Sequence, residues 1–429
     1  MSPTDSADDW AQLRGSPVDI PHSPLDEETR LRGDFPRTLL PSPDGMSQSL
    51  VFEPALKQFS NAYRAGEPRF ADEEAGRLWH QARRTVLDVV LASIANGPWT
   101  QHLVLRGSVL MATWFKEAAR DPGDLDFVVV PQDWRLDEPR TTELFFGIAR
   151  DAAAAGADSA VRIHADSMIT EEIWTYDRVP GRRMLLPWTA PPGCAGGTVQ
   201  LDLVFNETLP APAELTELRP LGDGPGCRLW AASPALSLAW KLLWLITDLH
   251  PQGKDLYDAV LLAESAPPPY ELVRNTFVLT GVEGLRPPSS SWTETLAVEQ
   301  GWEHFTAEYA QVAGTAAEYR DRLLRALTPL LTASEPPGED TYDRWVRWLG
   351  PLIESTRATA GNDPAPALGH LAGGGWDGLM AAVVIVREVA GRQALDLEGA
   401  LHTVLDSGDS WRTWRERPEW WPDVLDRLS

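Results

Sequence analysis

The sequence predicts an α/β fold in which a small mixed sheet flanked by helices carries acidic side chains, followed by a mainly helical C-terminal region. Three observations predict it. Leu103 to Arg106 is an apolar run ending in Gly107-Ser108, and sixteen residues beyond Ser108 the Asp124-Leu125-Asp126 triplet opens a second apolar run through Val130. Between residues 161 and 205 the pattern changes to short β-rich runs, with Pro180-Gly181 and Gly196-Gly197 as turns. Beyond about residue 270 helical periodicity dominates, interrupted by Pro- and Gly-containing linkers such as Glu335-Pro336-Pro337-Gly338.

Residues 1–50 scatter Pro, Ser, Asp and Gly with little apolar periodicity, which predicts a flexible or loosely docked N-terminal arm. A helical pattern from Ala71 (Leu78, Ala82, Val86, Val89, Val90, Ile94) stops at Asn96-Gly97-Pro98. The opening strand, the Gly-Ser turn, a helix near 108–119 and the Asp-x-Asp strand follow, then a helix over 141–155. Strands are expected at 161–165, 172–177, 182–188 and 198–205. Ser233-Pro234 starts a strong helix to about Asp248, with serine as N-cap and proline in the first turn. A helix over 255–264 ends before Pro267-Pro268-Pro269, and further helices are expected at 294–313, 315–333, 341–358, 376–391, 396–406 and 411–428. The late tryptophans (Trp345, Trp348, Trp376, Trp411, Trp414, Trp420, Trp421) suit helix packing better than ligand binding. The expected domains are therefore the arm (1–50), an α/β domain (51–270) and a helical domain (271–429).

Composition narrows the function. At 429 residues and 43% hydrophobic content the chain can bury a sizeable core, and no apolar run approaches the length that spans a bilayer. The first residues are acidic and polar rather than signal-like, and Cys194 and Cys227 read as free thiols, so a cytoplasmic protein without membrane attachment is expected. A net charge of −24 argues against a broadly basic surface that coats nucleic acid, although a local basic patch is compatible with it. Lysine occurs only at positions 57, 116, 241 and 254 in an arginine-rich chain, so a lysine inside a helix invites a specific reason.

Asp124 and Asp126 are two apart, so on a strand they share a face, where like charges beside a Val-rich run are costly without a cation between them. This arrangement suits magnesium held against a nucleoside triphosphate. The Gly107-Ser108 turn suits phosphate contact, since glycine admits close backbone approach and the following helix offers its N-terminal amides. Each motif alone is weak: Gly15-Ser16 repeats the dipeptide without context, and 62 acidic residues make such pairs common. Their order, strand, Gly-Ser, helix, strand with Asp-x-Asp, is the stronger signal. Asp202 adds a third carboxylate in the apolar run 198–205, either as metal ligand or general base, or facing solvent from an edge strand. Three strand-borne carboxylates converging on two metal ions would neutralise phosphate charge and activate an attacking hydroxyl.

Lys241 lies in a segment apolar nearly all round; it reads as a phosphate-binding lysine facing a polar cleft or as one snorkelling at a helix surface. Arg178, Arg182 and Arg183 form the best local basic cluster, either guiding a polyanionic acceptor or decorating an ordinary exposed hairpin. The histidines show no zinc spacing, and no Ser-His-Asp or Cys-His signature can be assigned.

Together these residues resemble the DNA polymerase β-type nucleotidyltransferase superfamily and, within it, the AbiEii/AbiGii toxin family. The resemblance rests on Leu105-Arg106-Gly107-Ser108, Asp124-Leu125-Asp126-Phe127, Leu201-Asp202-Leu203, Ser237-x-x-x-Lys241 and Lys254-Asp255-Leu256-Tyr257-Asp258, and covers roughly residues 75–265. It implies a nucleotidyltransferase-type sheet and a magnesium-dependent enzyme that moves a nucleoside monophosphate from a triphosphate (ATP, GTP or CTP) to a hydroxyl, releasing pyrophosphate. Asp124, Asp126 and Asp202 would bind two magnesium ions, and these three with Lys241 would be catalytic. Gly107, Ser108, Ser237, Lys241, Asp255 and Asp258 would bind the nucleotide. The family's Arg-Asp-x-x-Asp motif stands here with Lys254 in place of arginine, and Asp255 and Asp258 either complete the active site or cap their helix. The interval between Ser108 and Asp124 is longer than usual for the family, implying an extended helix or loop. The resemblance further implies an RNA acceptor, such as a tRNA acceptor end, and an antitoxin protein as partner. A small-molecule acceptor, in an antibiotic-modifying or biosynthetic enzyme, and a non-catalytic nucleotide-binding module are the alternatives.

Overall fold

The structure is a computed structural model, and it describes residues 10, 13, 18–175, 179–222, 226–289, 292, 299–359 and 364–429. The chain divides into two compact units. The first comprises 1–207, 212–233 and 306–312; the second comprises 208–211, 234–305 and 313–429.

The first unit is built on an eight-stranded sheet. Its strands are β3 (Leu103–Arg106), β4 (Asp124–Val129), β5 (Arg162–Ile163), β6 (Ile169–Thr175), β7 (Val179–Thr189), β8 (Gly197–Val204), β9 (Glu214–Leu218) and β10 (Cys227–Ala231). They lie in the order β5-β7-β8-β4-β3-β10-β9, with β6 paired to β7. The β4–β8 and β3–β10 pairs are parallel, and the remaining pairs are antiparallel. A separate hairpin pairs β1 (Leu50–Phe52) with β2 (Tyr63–Ala65). The long helix Glu73–Asn96 begins at the Asp72 cap and buries Trp79, Val86, Leu87, Val90, Leu91 and Ile94 along one stripe, as the period-3.6 pattern predicts. Within the first fifty residues, Asp26 caps the short helix Glu27–Arg32, and Trp10, Leu13, Ile20, Phe35, Leu39 and Leu50 form one buried cluster.

The departures from expectation have local causes. The helix expected over 108–119 ends at Phe115, because Lys116 takes a left-handed φ of 53° and a tight 3-10 turn continues the chain. The run at 161–165 forms only two strand residues. Strands β9 and β10 were not anticipated; β9, Glu-Leu-Thr-Glu-Leu, lacks strict polar–apolar alternation and is largely exposed.

The second unit is helical. The helices Pro234–Thr247 and Gly253–Ser265 match the two helices expected over 233–248 and 255–264, and a further one, Tyr270–Val278, follows them. Prolines divide later helices that periodicity alone read as continuous. Pro329 sits at the start of Thr328–Ser334, separating it from Ala316–Ala326, and Pro351 at the start of Gly350–Thr359, separating it from Thr341–Trp348. The segment 411–428 is likewise split, into Arg412–Arg415 and Trp421–Leu428. Of the helix expected over 294–313, residues 294–298 lie outside the described residues, and Glu299–Glu308 is helical. Trp345, Trp348, Trp411 and Trp414 are buried, as packing residues should be. Contrary to expectation, one helical stretch, Ala365–Ala390, is long and apolar enough to cross a membrane by length and composition. A left-handed Gly375 breaks it into a 3-10 piece and an α-helix, and 56% of its apolar window is buried inside the fold, as for a core helix. Cys194 and Cys227 are both free, and burial raises both thiol pKa values, that of Cys227 to about 11.

Candidate active site

The Gly-Ser turn and the two aspartates come together in the first unit. Strands β3 and β4 are antiparallel neighbours with Arg106 opposite Asp126, so the chain leaving β3 through Gly107 runs directly past the start of β4. Gly107 has φ 86° and ψ −150°, a conformation that side chains rarely adopt, and a Cβ there would collide with Asp126 Oδ2. Ser108 begins the helix Ser108–Phe115 and donates its hydroxyl to Asp124 Oδ1 at 3.2 Å. Leu125 and Phe127 are fully buried on the opposite face of β4, leaving Asp124 and Asp126 half-buried on the shared face.

Asp202 belongs to the same place. β8 runs parallel to β4 with Asp202 beside Asp126 and Gln200 beside Asp124. The edge-strand alternative is overturned, since β8 lies between β7 and β4 and Asp202 is only 9% exposed. Arg183, opposite Asp202 on β7, grips both carboxylate oxygens, Nε donating to Oδ1 at 2.9 Å and Nη2 to Oδ2 at 2.8 Å. Gln200 Nε2 donates to Oδ2 at 3.1 Å, and Glu53 lies 3.5 Å from Arg183 Nη2. Burial pushes the Asp202 carboxyl pKa up; Arg183 opposes this, and Asp124 and Glu53 add to it. The Arg183 pKa is raised as well: its own burial pulls down, and the charges of Asp202, Glu53 and Asp124 outweigh it. Arg183 is 3% exposed, so for this residue the exposed-hairpin reading is wrong: a buried carboxylate needs a buried partner. Arg182 lies over the Phe145 ring with Glu172 at 3.7 Å, and Arg178 is outside the described residues. Nothing in the local sequence distinguished Arg183 from Arg182; only the strand register does.

On the other side of Asp126, Arg106 Nη1 donates to Glu207 Oε2 at 2.6 Å in a pair that is 5% and 4% exposed. One row across four adjacent strands therefore reads Arg183, Asp202, Asp126, Arg106.

Ser237, Lys241, Asp255 and Asp258 come together in the second unit. Lys241 is 5% exposed, so it does not snorkel; its Nζ lies 2.7 Å from Asp255 Oδ1 and 3.0 Å from Asp258 Oδ2, and 5.4 Å from the Trp244 ring centre. Asp255 and Asp258 are 1% and 0% exposed and answer Lys241. The N-cap position of Gly253–Ser265 is Gln252, and neither aspartate occupies it. Ser237, one turn before Lys241, buries its Oγ without a hydrogen-bond partner among the described residues.

The donor chemistry at Asp124 and Asp126 fits magnesium, which takes oxygen ligands and is commonly held by one or two carboxylates together with substrate phosphates. Among the described residues no group of three or more His, Cys, Asp and Glu side chains is disposed to hold a metal ion. The missing Cβ of Gly107 lets the Asp126 carboxylate pack against the turn backbone.

A sheet with flanking helices, a Gly-Ser turn entering a helix and an Asp-x-Asp strand define a nucleotidyltransferase. The family model of the AbiEii nucleotidyl transferase toxin, of type IV toxin–antitoxin systems, matches residues 89–342, and the chain belongs to that family. Among solved structures, the chain is similar to MenT4, a nucleotidyltransferase toxin of Mycobacterium tuberculosis H37Rv, at 16% identity and TM-score 0.41, over 62% of this chain and 86% of that one. It is also similar to JHP933 from Helicobacter pylori, at 12% identity and TM-score 0.39, over 67% of this chain and 99% of that one. The family match, not these two likenesses, carries the assignment. A comparison with curated protein sequences finds no significant match.

Proposed function

We propose that this nucleotidyltransferase moves a nucleoside monophosphate from a nucleoside triphosphate to a hydroxyl of RNA, within a toxin–antitoxin pair and with an antitoxin protein as partner. The observation that supports it best is the pairing of Ser108 with Asp124 and of the Cβ-free Gly107 with Asp126 at the start of a helix. Asp124 and Asp126 would hold magnesium, which when bound neutralises phosphate charge. The backbone at Gly107 and the first amides of Ser108–Phe115 receive the triphosphate oxygens. The acceptor oxygen forms its bond to the α-phosphorus, the bond to the bridging oxygen breaks, and pyrophosphate leaves with the electron pair. The acceptor proton passes to solvent or to a carboxylate of the site. Positioning and charge neutralisation supply the rate, without a covalent intermediate on the protein. In the second unit, Ser237 and Lys241 are the residues that the family's helical motif assigns to nucleotide contact.

The net charge of −24 favours a second reading, a small-molecule acceptor, because a polyanion approaches an acidic protein against its field. Incubation with radiolabelled triphosphates and total RNA, or with small-metabolite extract, separates the two, with Asp124→Ala as control. Magnesium-dependent label in RNA, lost in Asp124→Ala, supports the first reading, and label in a metabolite the second. Triphosphate binding with no labelled acceptor would leave a binding module.

A further inference from the structure

The three carboxylates of the site are not equivalent. Asp124 takes a serine hydroxyl and the Asp126 carboxylate lies against the Gly107 backbone, whereas both oxygens of Asp202 are held by one buried guanidinium. We propose that Arg183 is a built-in counter-ion standing where a second cation would otherwise neutralise Asp202. The site then takes one divalent ion, at Asp124 and Asp126, and Asp202 positions Arg183. This rests on reading Asp124 and Asp126 as the ion's ligands.

The geometry is that of a fork meeting a carboxylate: two parallel hydrogen bonds of 2.9 and 2.8 Å, with the partners directly opposite on neighbouring strands. Such a pair resists disruption, since a metal ion competing for Asp202 would leave a guanidinium that is 3% exposed without its main partner. Gln200 adds a third hydrogen bond to the same carboxylate and Glu53 approaches the same Nη2, so the pair is held from both sides. Arg183 Nη1 is buried and has no hydrogen-bond partner among the described residues, which leaves one donor for a phosphate oxygen when the site fills. Asp202 and Asp126 stand side by side as like charges, and Arg183 relieves that repulsion with no ion bound.

The test counts manganese bound by the full chain, by electron paramagnetic resonance, with each of the four α,β-methylene nucleoside triphosphates. Circular dichroism monitors folding. The wild type is expected to bind one ion and Asp124→Asn to lose it. Arg183→Gln, which releases Asp202, is expected to gain a second ion, an effect that a merely structural arginine would not produce. Asp202→Asn alone would leave an uncompensated arginine beside the ion, so the decisive partner is the charge-neutral double variant Arg183→Gln/Asp202→Asn. It should keep the single ion with affinity within about threefold of wild type, whereas loss of a true ligand weakens binding by about tenfold or more. Two ions in the wild type, no second ion in a folded Arg183→Gln, or a tenfold loss in the double variant each overturn the proposal. Should Arg183→Gln fail to fold, the double variant decides. If the wild type and Asp124→Asn bind manganese alike, the Asp124–Asp126 reading itself has failed, a different result from any of these.

Discussion

Replacing Lys241 with methionine keeps the aliphatic stem and removes one charge from a buried cluster. The ammonium lies 2.7 and 3.0 Å from two carboxylates, and the three side chains are 7%, 2% and 0% exposed. Solvent therefore screens the cluster little, and the substitution takes from two buried carboxylates the ammonium that lies between them. Removing one partner of a buried ion pair costs about 3–5 kcal/mol. For a unit of about 150–250 residues each kcal/mol lowers the melting temperature by roughly 2–4 °C, so the transition of the helical unit should fall by roughly 6–20 °C. Differential scanning calorimetry at neutral pH measures it. The triple variant Lys241→Met/Asp255→Asn/Asp258→Asn should recover most of the loss, because removing all the charges leaves none uncompensated. A transition of Lys241→Met within about 2 °C of wild type would refute the reasoning. The triple variant also separates two roles of the lysine: if Lys241 contacts phosphate as well, stability returns while nucleotide transfer does not.

Gly107→Ala should lower transfer by about tenfold or more, since the new methyl group displaces Asp126 and misplaces its carboxylate; steady-state kinetics with unchanged kcat/KM would discount that contact. Glu207→Gln should destabilise the chain by about 3–5 kcal/mol, because Arg106 is then left charged and buried; a urea midpoint unmoved from wild type excludes this. His80 lies among Phe70, Trp79 and Arg83, and burial first, then Arg83, lowers its pKa below 6.5. A depressed folded pKa means stability present above 6.5 and lost as pH falls through the folded value, so His80→Phe should flatten the decline in melting temperature between neutral pH and pH 5. Parallel melting profiles for the two proteins would exclude a titrating His80.

The parts of this fold legible in sequence were those whose residues carry their own local reason. Asn96-Gly97-Pro98 stops a helix whatever lies around it, and Ser233-Pro234 starts one. Strand β9 offers Glu214-Leu215-Thr216-Glu217-Leu218, a pattern that a surface loop of an acidic chain would also show; its pairing with β10 makes it a strand. The prolines at 329 and 351 were visible, but a proline at a first helical turn reads the same as one interrupting a longer helix until the breaks are seen.

The site follows the same division. Gly107, Ser108, Asp124 and Asp126 lie within one strand-turn-helix-strand unit, where spacing alone predicts a shared face. Arg183 sits beside Asp202 only because β7 and β8 pair in one particular register, and a shift of a single residue would turn Arg182 to that face in its place. Register is a property of the whole sheet, so no window around Pro180-Gly181 contains it. The consequence is electrostatic. The row Arg183, Asp202, Asp126, Arg106 places cations at both ends, but Arg183 is committed to Asp202 and Arg106 to Glu207. Asp126 lies between them, with Asp124 beside it on the same strand face. A divalent ion held by Asp124 and Asp126 would join a row in which Arg183 is already engaged by both oxygens of Asp202.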